Sequence, residues 1–250
     1  DGAVGEVDLA RTAGATAATV IGNCPVETLD LFIERCQALN MISMIDMLGV
    51  DDPLRVMRPL SKPPDVVVIH RGRDEESNRS KMIRYRHINR IRSKYDVLIS
   101  AAGGVDLREA RSAIFNGANI VVANLVQPGD EWNGIRTTDD IRAVSQQFLE
   151  TIAASVCDRL QVSQCSIGIL EAGKPSLFIL TGEKRARVNL RIDQNVVNLV
   201  QENLNTSEGF IETEGVGYLP LVAANSVEKD GSRDELVGIL AAPSLGGEVI

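Results

Sequence analysis

A histidine and two arginines directly follow a run of apolar residues in the first half of the chain. From Asp65 to Asp74 the sequence is DVVVIHRGRD. An imidazole titrates near neutral pH and can carry protons, and an arginine three residues further on can bind a phosphate or carboxylate with its planar fork. We therefore predict that His70 and Arg73 are catalytic, with a hydrogen bond between His70 and a neighbouring loop as the structural alternative.

Three further apolar runs end in residues that could contact a substrate. Asp46 ends the run before His70, and a buried carboxylate is costly unless it is paired or bound to a metal. Asp46 is therefore either catalytic or part of a structural ion pair. Gly103 and Gly104 can let backbone N–H groups approach a phosphate, or can simply form a tight turn. Asn124 can donate to the same anion or serve as a turn residue.

The first 149 residues alternate apolar runs with amphipathic segments, which indicates an α/β domain. The runs are continuous, as expected for parallel strands with both faces covered by helices. This pattern suits either a (β/α) barrel or a doubly wound sheet. The predicted strands are Thr16–Gly22, Met41–Met47, Asp65–Gly72, Asp96–Gly104 and Asn119–Leu125, and helices are predicted at Val26–Leu39 and Leu107–Asn116.

Residues 150–250 follow a different pattern, which predicts a small α+β domain with antiparallel hairpins and a boundary near residue 150. A long helix is expected from about Thr138 across this boundary. A second helix is expected over Asn195–Leu204, and a Lys229-Asp230-Gly231 turn should join the last two strands. The predicted strands are Cys165–Leu170, Ser176–Leu180, Arg187–Ile192, Tyr218–Ser226 and Glu235–Ala241.

Composition excludes several classes of partner. The formal net charge of −8 argues against nucleic acid, and the basic stretch Arg79–Lys94 is interpreted as a solvated helix face. No apolar run is long enough to span a membrane. The four cysteines have no CxxC spacing, which predicts reduced thiols in a cytoplasmic protein and no zinc site.

Six short motifs together resemble one enzyme family. Over about residues 1–135, their order and spacing are similar to those of 3-hexulose-6-phosphate synthase, in the orotidine 5'-monophosphate decarboxylase superfamily. That superfamily also contains 3-keto-L-gulonate 6-phosphate decarboxylase. The motifs are Asp1–Ala15, Thr19–Gly22, Ile45–Pro53, Val68–Asp74, Ala102–Gly104 and Asn119–Val122.

The resemblance implies a (β/α)8 barrel that forms a homodimer and acts on a sugar phosphate. The implied reaction is an aldehyde-lyase reaction that interconverts ribulose 5-phosphate plus formaldehyde with hexulose 6-phosphate, through an enediolate stabilised by Mg2+. Asp1 is similar to the last aspartate of the family's D-x-K-x-x-D motif, and His70 to the acid/base histidine. Arg73 resembles an arginine of the decarboxylase branch. Gly103 and Gly104 resemble the phosphate cradle.

The sequence also departs from this family. The first three strands of the barrel, the motif lysine and the usual metal ligands would precede Asp1, so we expect either an incomplete barrel or further residues upstream. Asn124 stands where the family has glycine or arginine near the phosphate. The alternatives are therefore the related decarboxylase and a non-catalytic sugar-phosphate-binding or sensor protein. Residues 150–250 faintly resemble a GAF-type sensor domain, or form an oligomerisation or regulatory domain.

Overall fold

A computed structural model provides the structure of the chain and divides it into two compact units, residues 1–144 and 145–250. The predicted boundary lies slightly further along the same helix, α7 (Ile141–Leu160). Each unit is considered by itself. The structure describes residues 2–76, 83–130, 134–162, 164–171, 173–182, 192–203, 211–223 and 235–243.

The first unit contains a five-stranded parallel sheet, which confirms the predicted α/β class with a parallel sheet. The strands lie in sequential order, β1-β2-β3-β4-β5. A doubly wound sheet would reverse its strand order at a switch point, whereas sequential order is that of an arc of a (β/α) barrel. The strands are β1 (Ala17–Ile21), β2 (Ile42–Asp46), β3 (Val66–His70), β4 (Leu98–Ala102) and β5 (Ile120–Val121).

Helices connect these strands, and α2 (Val26–Ala38) shows how they pack. Its buried side chains, Leu29, Phe32, Ile33 and Cys36, follow the spacing of one helix face. Burial raises the pKa of the Cys36 thiol to about 11, so this cysteine is an inert core residue. The helices are α1 (Gly2–Thr12), α2 (Val26–Ala38), α3 (Pro53–Met57), α4 (Arg73–Glu76), α5 (Arg86–Arg92) and α6 (Leu107–Phe115).

One carboxylate fixes the start of two neighbouring strands. Asp65 Oδ2 accepts hydrogen bonds from the backbone N–H and the hydroxyl of Ser43, both at 2.7 Å. The Ser43 hydroxyl accepts in turn from the Asp65 backbone N–H at 3.0 Å. These bonds hold β2 and β3 in register, so that Asp46 and His70 reach the same edge of the sheet.

The fifth strand is shorter than predicted. Instead of one strand over Asn119–Leu125, the ladder of β5 ends at Val121, and β6 (Leu125–Val126) pairs with β7 (Ile135–Arg136) in a separate parallel pair. The backbone carbonyl of Asn124 accepts from the N–H of Ile135 at 2.7 Å, which draws the chain away from β4.

One face of the five-stranded sheet is apolar and partly open. Val66, Val68 and Ala102 are buried on it, whereas Ile21, Ile42 and Leu98 are 43%, 47% and 47% exposed. Among the described residues the sheet does not close on itself, so the completeness of the barrel stays a prediction.

The second unit is an antiparallel sheet with a helix on each face. Its strand order is β10-β11-β12-β8-β9. Alternate residues of β12 contact different helices: Ile239 and Ala241 pack with α8, and Leu240 and Ala242 pack around Cys157 of α7. The elements are β8 (Gln164–Glu171), β9 (Lys174–Gly182), α8 (Gln194–Asn203), β10 (Ile211–Thr213), β11 (Val216–Ala223) and β12 (Glu235–Pro243).

Strand β10 was not predicted from the sequence, because it is only three residues long and ends directly at the Glu214-Gly215 turn. Most of the predicted strand Arg187–Ile192 and the predicted Lys229-Asp230-Gly231 turn lie outside the described residues. Within the described part of the chain, no helix has the length and apolar composition that crossing a membrane requires.

Candidate active site

His70 and Asp46 form a hydrogen-bonded pair where β3 and β2 end. The Nδ1 atom of His70 lies 3.0 Å and 2.8 Å from the two carboxylate oxygens of Asp46. The backbone N–H of Leu48 donates to Asp46 Oδ1 at 2.9 Å and orients the carboxylate. Because Nδ1 faces Asp46, the other ring nitrogen, Nε2, points away from the carboxylate. This is the arrangement of an imidazole whose tautomer is set by an acidic partner.

The surroundings of His70 favour its protonated form. The hydrogen bond with Asp46 raises the pKa of His70, burial opposes this, and the negative charges of Asp46 and Glu76 raise it further. The side chains of His70 and Asp46 are 29% and 22% exposed, so the pair can be reached from solvent. A histidine of this kind can give and take a proton near neutral pH.

Arg71, the residue after His70, lies inside the protein and contacts the loop after β4. Its guanidinium Nη2 donates to the carbonyl of Gly104 at 3.0 Å, and its backbone N–H donates to the carbonyl of Ala102 at 3.1 Å. At Gly103, where φ is +95°, an added Cβ would lie 2.0 Å from the carbonyl oxygen of Arg71. The glycine is therefore required by the close approach of these two backbone segments.

Glu76 is buried beside Arg71 and contacts Asn124. Burial raises the pKa of Glu76, while the charge of Arg71 and a hydrogen bond from Asn124 oppose the shift. In that bond Asn124 Nδ2 donates to Glu76 Oε1 at 3.3 Å. Glu76 Oε2 has no hydrogen-bond partner among the described residues. The side chain of Asn124, which we predicted to face an anion, is thus engaged with a carboxylate.

A cleft of about 720 Å³ opens beside His70. Its far wall is α5 and the residues before it, which ion pairs tie to the loop after β2. Arg84 Nη1 lies 2.9 Å from Asp51 Oδ1, and Arg90 Nη1 lies 3.3 Å from Asp52 Oδ1. The lining residues are Met47, Gly49, Val50, Asp51, Pro53, Ile69, His70, Arg71, Glu75, Ile83, Arg84, Tyr85, Arg86 and His87.

Tyr85 and His87 attach this wall to the rest of the unit in different ways. The hydroxyl of Tyr85 donates to the carboxylate of Glu109, and burial together with this bond raises the pKa of Tyr85. His87 is 3% exposed, and within the described residues neither ring nitrogen has a hydrogen-bond partner. Burial lowers the pKa of His87, as do the charges of Arg86, Arg90 and Arg84, while Asp52 opposes them.

The predicted site residues are thus distributed unevenly. The structure brings His70 and Asp46 together and places Gly103 and Gly104, both buried, in the loop directly after β4. Arg73 is exposed at the start of α4, and its charge acts on Glu76. Asp1 lies outside the described residues.

The sequence did not indicate Arg71, Glu76 or His87 as members of the site. Arg71 stands in the same motif as His70, but only its buried position distinguishes it from the exposed Arg73. Glu76 and His87 lie in helices and not at the end of a strand. The rule that active-site residues gather at strand ends therefore does not identify them.

Magnesium is implied by the family resemblance, and the described side chains do not by themselves supply a site for it. Within the part of the chain that the structure describes, no three histidine, cysteine, aspartate or glutamate side chains form a group that could hold a metal ion. Asp46 is engaged with both His70 and the Leu48 N–H.

A parallel sheet with a histidine–carboxylate pair at its carboxyl edge defines the class: an α/β protein with a candidate site at the strand ends. In sequence the chain is similar to the bifunctional enzyme Fae/Hps of Methanothrix thermoacetophila, with 32% identity over 157 residues, 63% of this chain and 38% of that protein. Fae/Hps of Methanosarcina barkeri is 29% identical over 157 residues, with the same coverage. The chain thus spans about two fifths of the length of these curated relatives.

Two solved structures are also similar. One is a 3-hexulose-6-phosphate synthase with 28% identity and a TM-score of 0.41, covering 49% of this chain and 59% of that one. The other is the 3-hexulose-6-phosphate synthase of Salmonella typhimurium, with 23% identity and a TM-score of 0.49, covering 60% of this chain and 70% of that one. No family model matches the chain. The sequence matches confirm that the chain is related to the 3-hexulose-6-phosphate synthase family, as its motifs indicated.

Proposed function

We propose that this protein is an aldehyde-lyase of the 3-hexulose-6-phosphate synthase type, which interconverts ribulose 5-phosphate plus formaldehyde with hexulose 6-phosphate. The observation that carries the proposal is the His70–Asp46 pair beside an open cleft, in a chain related to Fae/Hps enzymes. The pair supplies a proton carrier, which an aldol condensation and its reversal both need.

In the synthetic direction, His70 Nε2 removes a proton from C1 of ribulose 5-phosphate, and the resulting enediolate carbon attacks the carbon of formaldehyde. A carbon–carbon bond forms, and the oxygen of formaldehyde becomes a hydroxyl by taking up a proton. Asp46 stabilises the imidazolium that forms during proton removal. In the cleavage direction the same proton is returned to C1 after the bond breaks.

The remaining assignments extend this proposal. Gly103, Gly104 and Asn124 would contact the phosphate, and Asp1 and Arg73 would complete the catalytic group. The sheet would form part of a (β/α)8 barrel within a cytoplasmic homodimer that uses Mg2+. Residues 1–149 would carry the lyase activity, and residues 150–250 a regulatory or oligomerisation role. The family resemblance supports the assignments within residues 1–149, and the different residue pattern of residues 150–250 is the basis for giving them a separate role.

Fixation of formaldehyde with ribulose 5-phosphate, measured in buffer with Mg2+, tests the function. We expect the full chain to form hexulose 6-phosphate. The rate of the His70→Asn variant should be lower by a factor of about 10²–10⁴. Equal rates for the two proteins would refute the role of His70. Release of CO2 from 3-keto-L-gulonate 6-phosphate without formaldehyde fixation would assign the decarboxylase activity instead. Binding of ribulose 5-phosphate without turnover in the wild type would assign a non-catalytic binding protein.

A further inference from the structure

The second histidine of the chain, His87, is buried in the wall of the same cleft. It lies in α5, is 3% exposed and is one of the residues that line the cleft beside His70. Neither Nδ1 nor Nε2 forms a hydrogen bond with any described residue. These are the only two histidines in the sequence, and both border one cleft.

An imidazole in this state has an energetic cost that the fold alone does not explain. A buried polar atom without a partner costs about 1–3 kcal/mol. The neighbouring residues on the helix, Ile88 and Ile91, are fully buried, so α5 already has an apolar anchor. An apolar side chain at position 87 would avoid that cost. Unpaired buried polar groups in native structures are often explained by a ligand.

The charges around His87 determine which ligand groups it can bind. Arg84, Arg86 and Arg90 are cationic, and Asp52 is the acidic group that acts on the ring. Burial and these three cations keep the imidazole neutral, with one N–H donor and one lone-pair acceptor. A fully ionised phosphate monoester offers acceptor atoms only, whereas a hydroxyl group can both donate and accept.

We propose that His87 is a specificity-determining residue of the cleft that forms hydrogen bonds with the hydroxyl groups of a polyhydroxylated ligand. The proposal rests on the proposed function only in choosing a sugar phosphate as that ligand. His70 and His87 then divide the work: the imidazole paired with Asp46 moves the proton, and the unpaired imidazole recognises the hydroxylated chain.

Binding of ribitol 5-phosphate, a polyol phosphate without a carbonyl group, tests this role without turnover. Calorimetry should show that His87→Phe binds it about tenfold or more weakly than the wild type. His87→Gln, which keeps a donor and an acceptor, should recover part of the affinity. Inorganic phosphate, which has no carbon-bound hydroxyl, should bind both variants and the wild type equally. A purely structural role would weaken both probes together.

The ring signals of His87 in the wild-type protein provide a second readout that needs no variant to fold. Ribitol 5-phosphate, and free ribitol at high concentration, should shift the His87 imidazole nitrogens in an NMR spectrum, and inorganic phosphate should not. The proposal is overturned if neither polyol shifts these signals, or if His87→Phe binds ribitol 5-phosphate as tightly as the wild type. Shifts of His87 without any formaldehyde fixation would refute the proposed function and leave this inference standing.

Discussion

The cleft is lined by two histidines, and their surroundings are opposite. His70 ends a strand, faces the carboxylate of Asp46 and has a raised pKa. His87 lies on a helix among three arginines, has no hydrogen-bond partner in the described residues and has a lowered pKa. The imidazole of His70 is therefore suited to proton transfer, and the imidazole of His87 is suited to hydrogen bonding in its neutral form.

The difference teaches that the environment, and not the residue type, assigns the role of each histidine. A hydrogen-bonded carboxylate stabilises the imidazolium, and burial beside guanidinium groups destabilises it. Pairs of titratable groups with opposite shifts are a recurring property of active sites.

Asp46→Asn should reduce kcat for formaldehyde fixation by about 10²-fold or more, because an amide cannot stabilise the His70 imidazolium. Steady-state kinetics measure the effect. The double variant Asp46→Asn/His70→Asn is the control and should lose little beyond His70→Asn alone, since the two residues act as a unit. An unchanged kcat in Asp46→Asn would show that the pair is structural.

Gly103→Ala should lower the free energy of unfolding by roughly 2 kcal/mol or more, because the new methyl group would overlap the carbonyl of Arg71. Gly129→Ala is a matched control: its φ is also +95°, and nothing lies within 4 Å of an added Cβ. Both variants have the cost of a left-handed backbone, about 1 kcal/mol. Urea unfolding should therefore separate them, and equal losses would show that the contact with Arg71 is unimportant.

The two histidines should give opposite pH dependences of stability. The contribution of His70 is complete below the unfolded pKa near 6.5 and is lost as the pH rises through its raised folded pKa. His87 has a lowered folded pKa, so the unfolded chain binds the proton first and stability falls as the pH drops below about 6.5. Titration of the two ring signals by NMR, with urea unfolding of His70→Asn and His87→Phe between about pH 5 and 9, measures both trends. If the stability contributions of the two histidines changed with pH in the same direction, their surroundings would not be opposite.

His87→Phe should raise the free energy of unfolding by about 1 kcal/mol near neutral pH, because it removes two buried nitrogens that have no hydrogen-bond partner among the described residues. His87→Gln keeps polar atoms at this position and should give no such gain. Thermal unfolding of the two variants measures this smallest effect. A marked loss of stability in His87→Phe would reveal a partner for the imidazole and weaken its assignment to a ligand.

Local patterns in the sequence were sufficient for much of the first unit. Continuous apolar runs predicted β1 to β4, and the spacing of Leu29, Phe32, Ile33 and Cys36 predicted the buried face of α2. The motif order predicted the relationship to the synthase family. The end of β5 was predicted wrongly, because the turn at Asn124 depends on its carbonyl bonding to Ile135 in a distant segment.

The sequence by itself determined that Asp46 and His70 end consecutive apolar strands, and the parallel direction of such strands places both residues at the carboxyl edge of the sheet. Only the tertiary structure decided that Arg71 is buried while Arg73 is exposed, that Asn124 donates to Glu76, and that His87 joins His70 in one cleft. These relations depend on packing between segments far apart in the chain, and no local pattern of residue types specifies such packing.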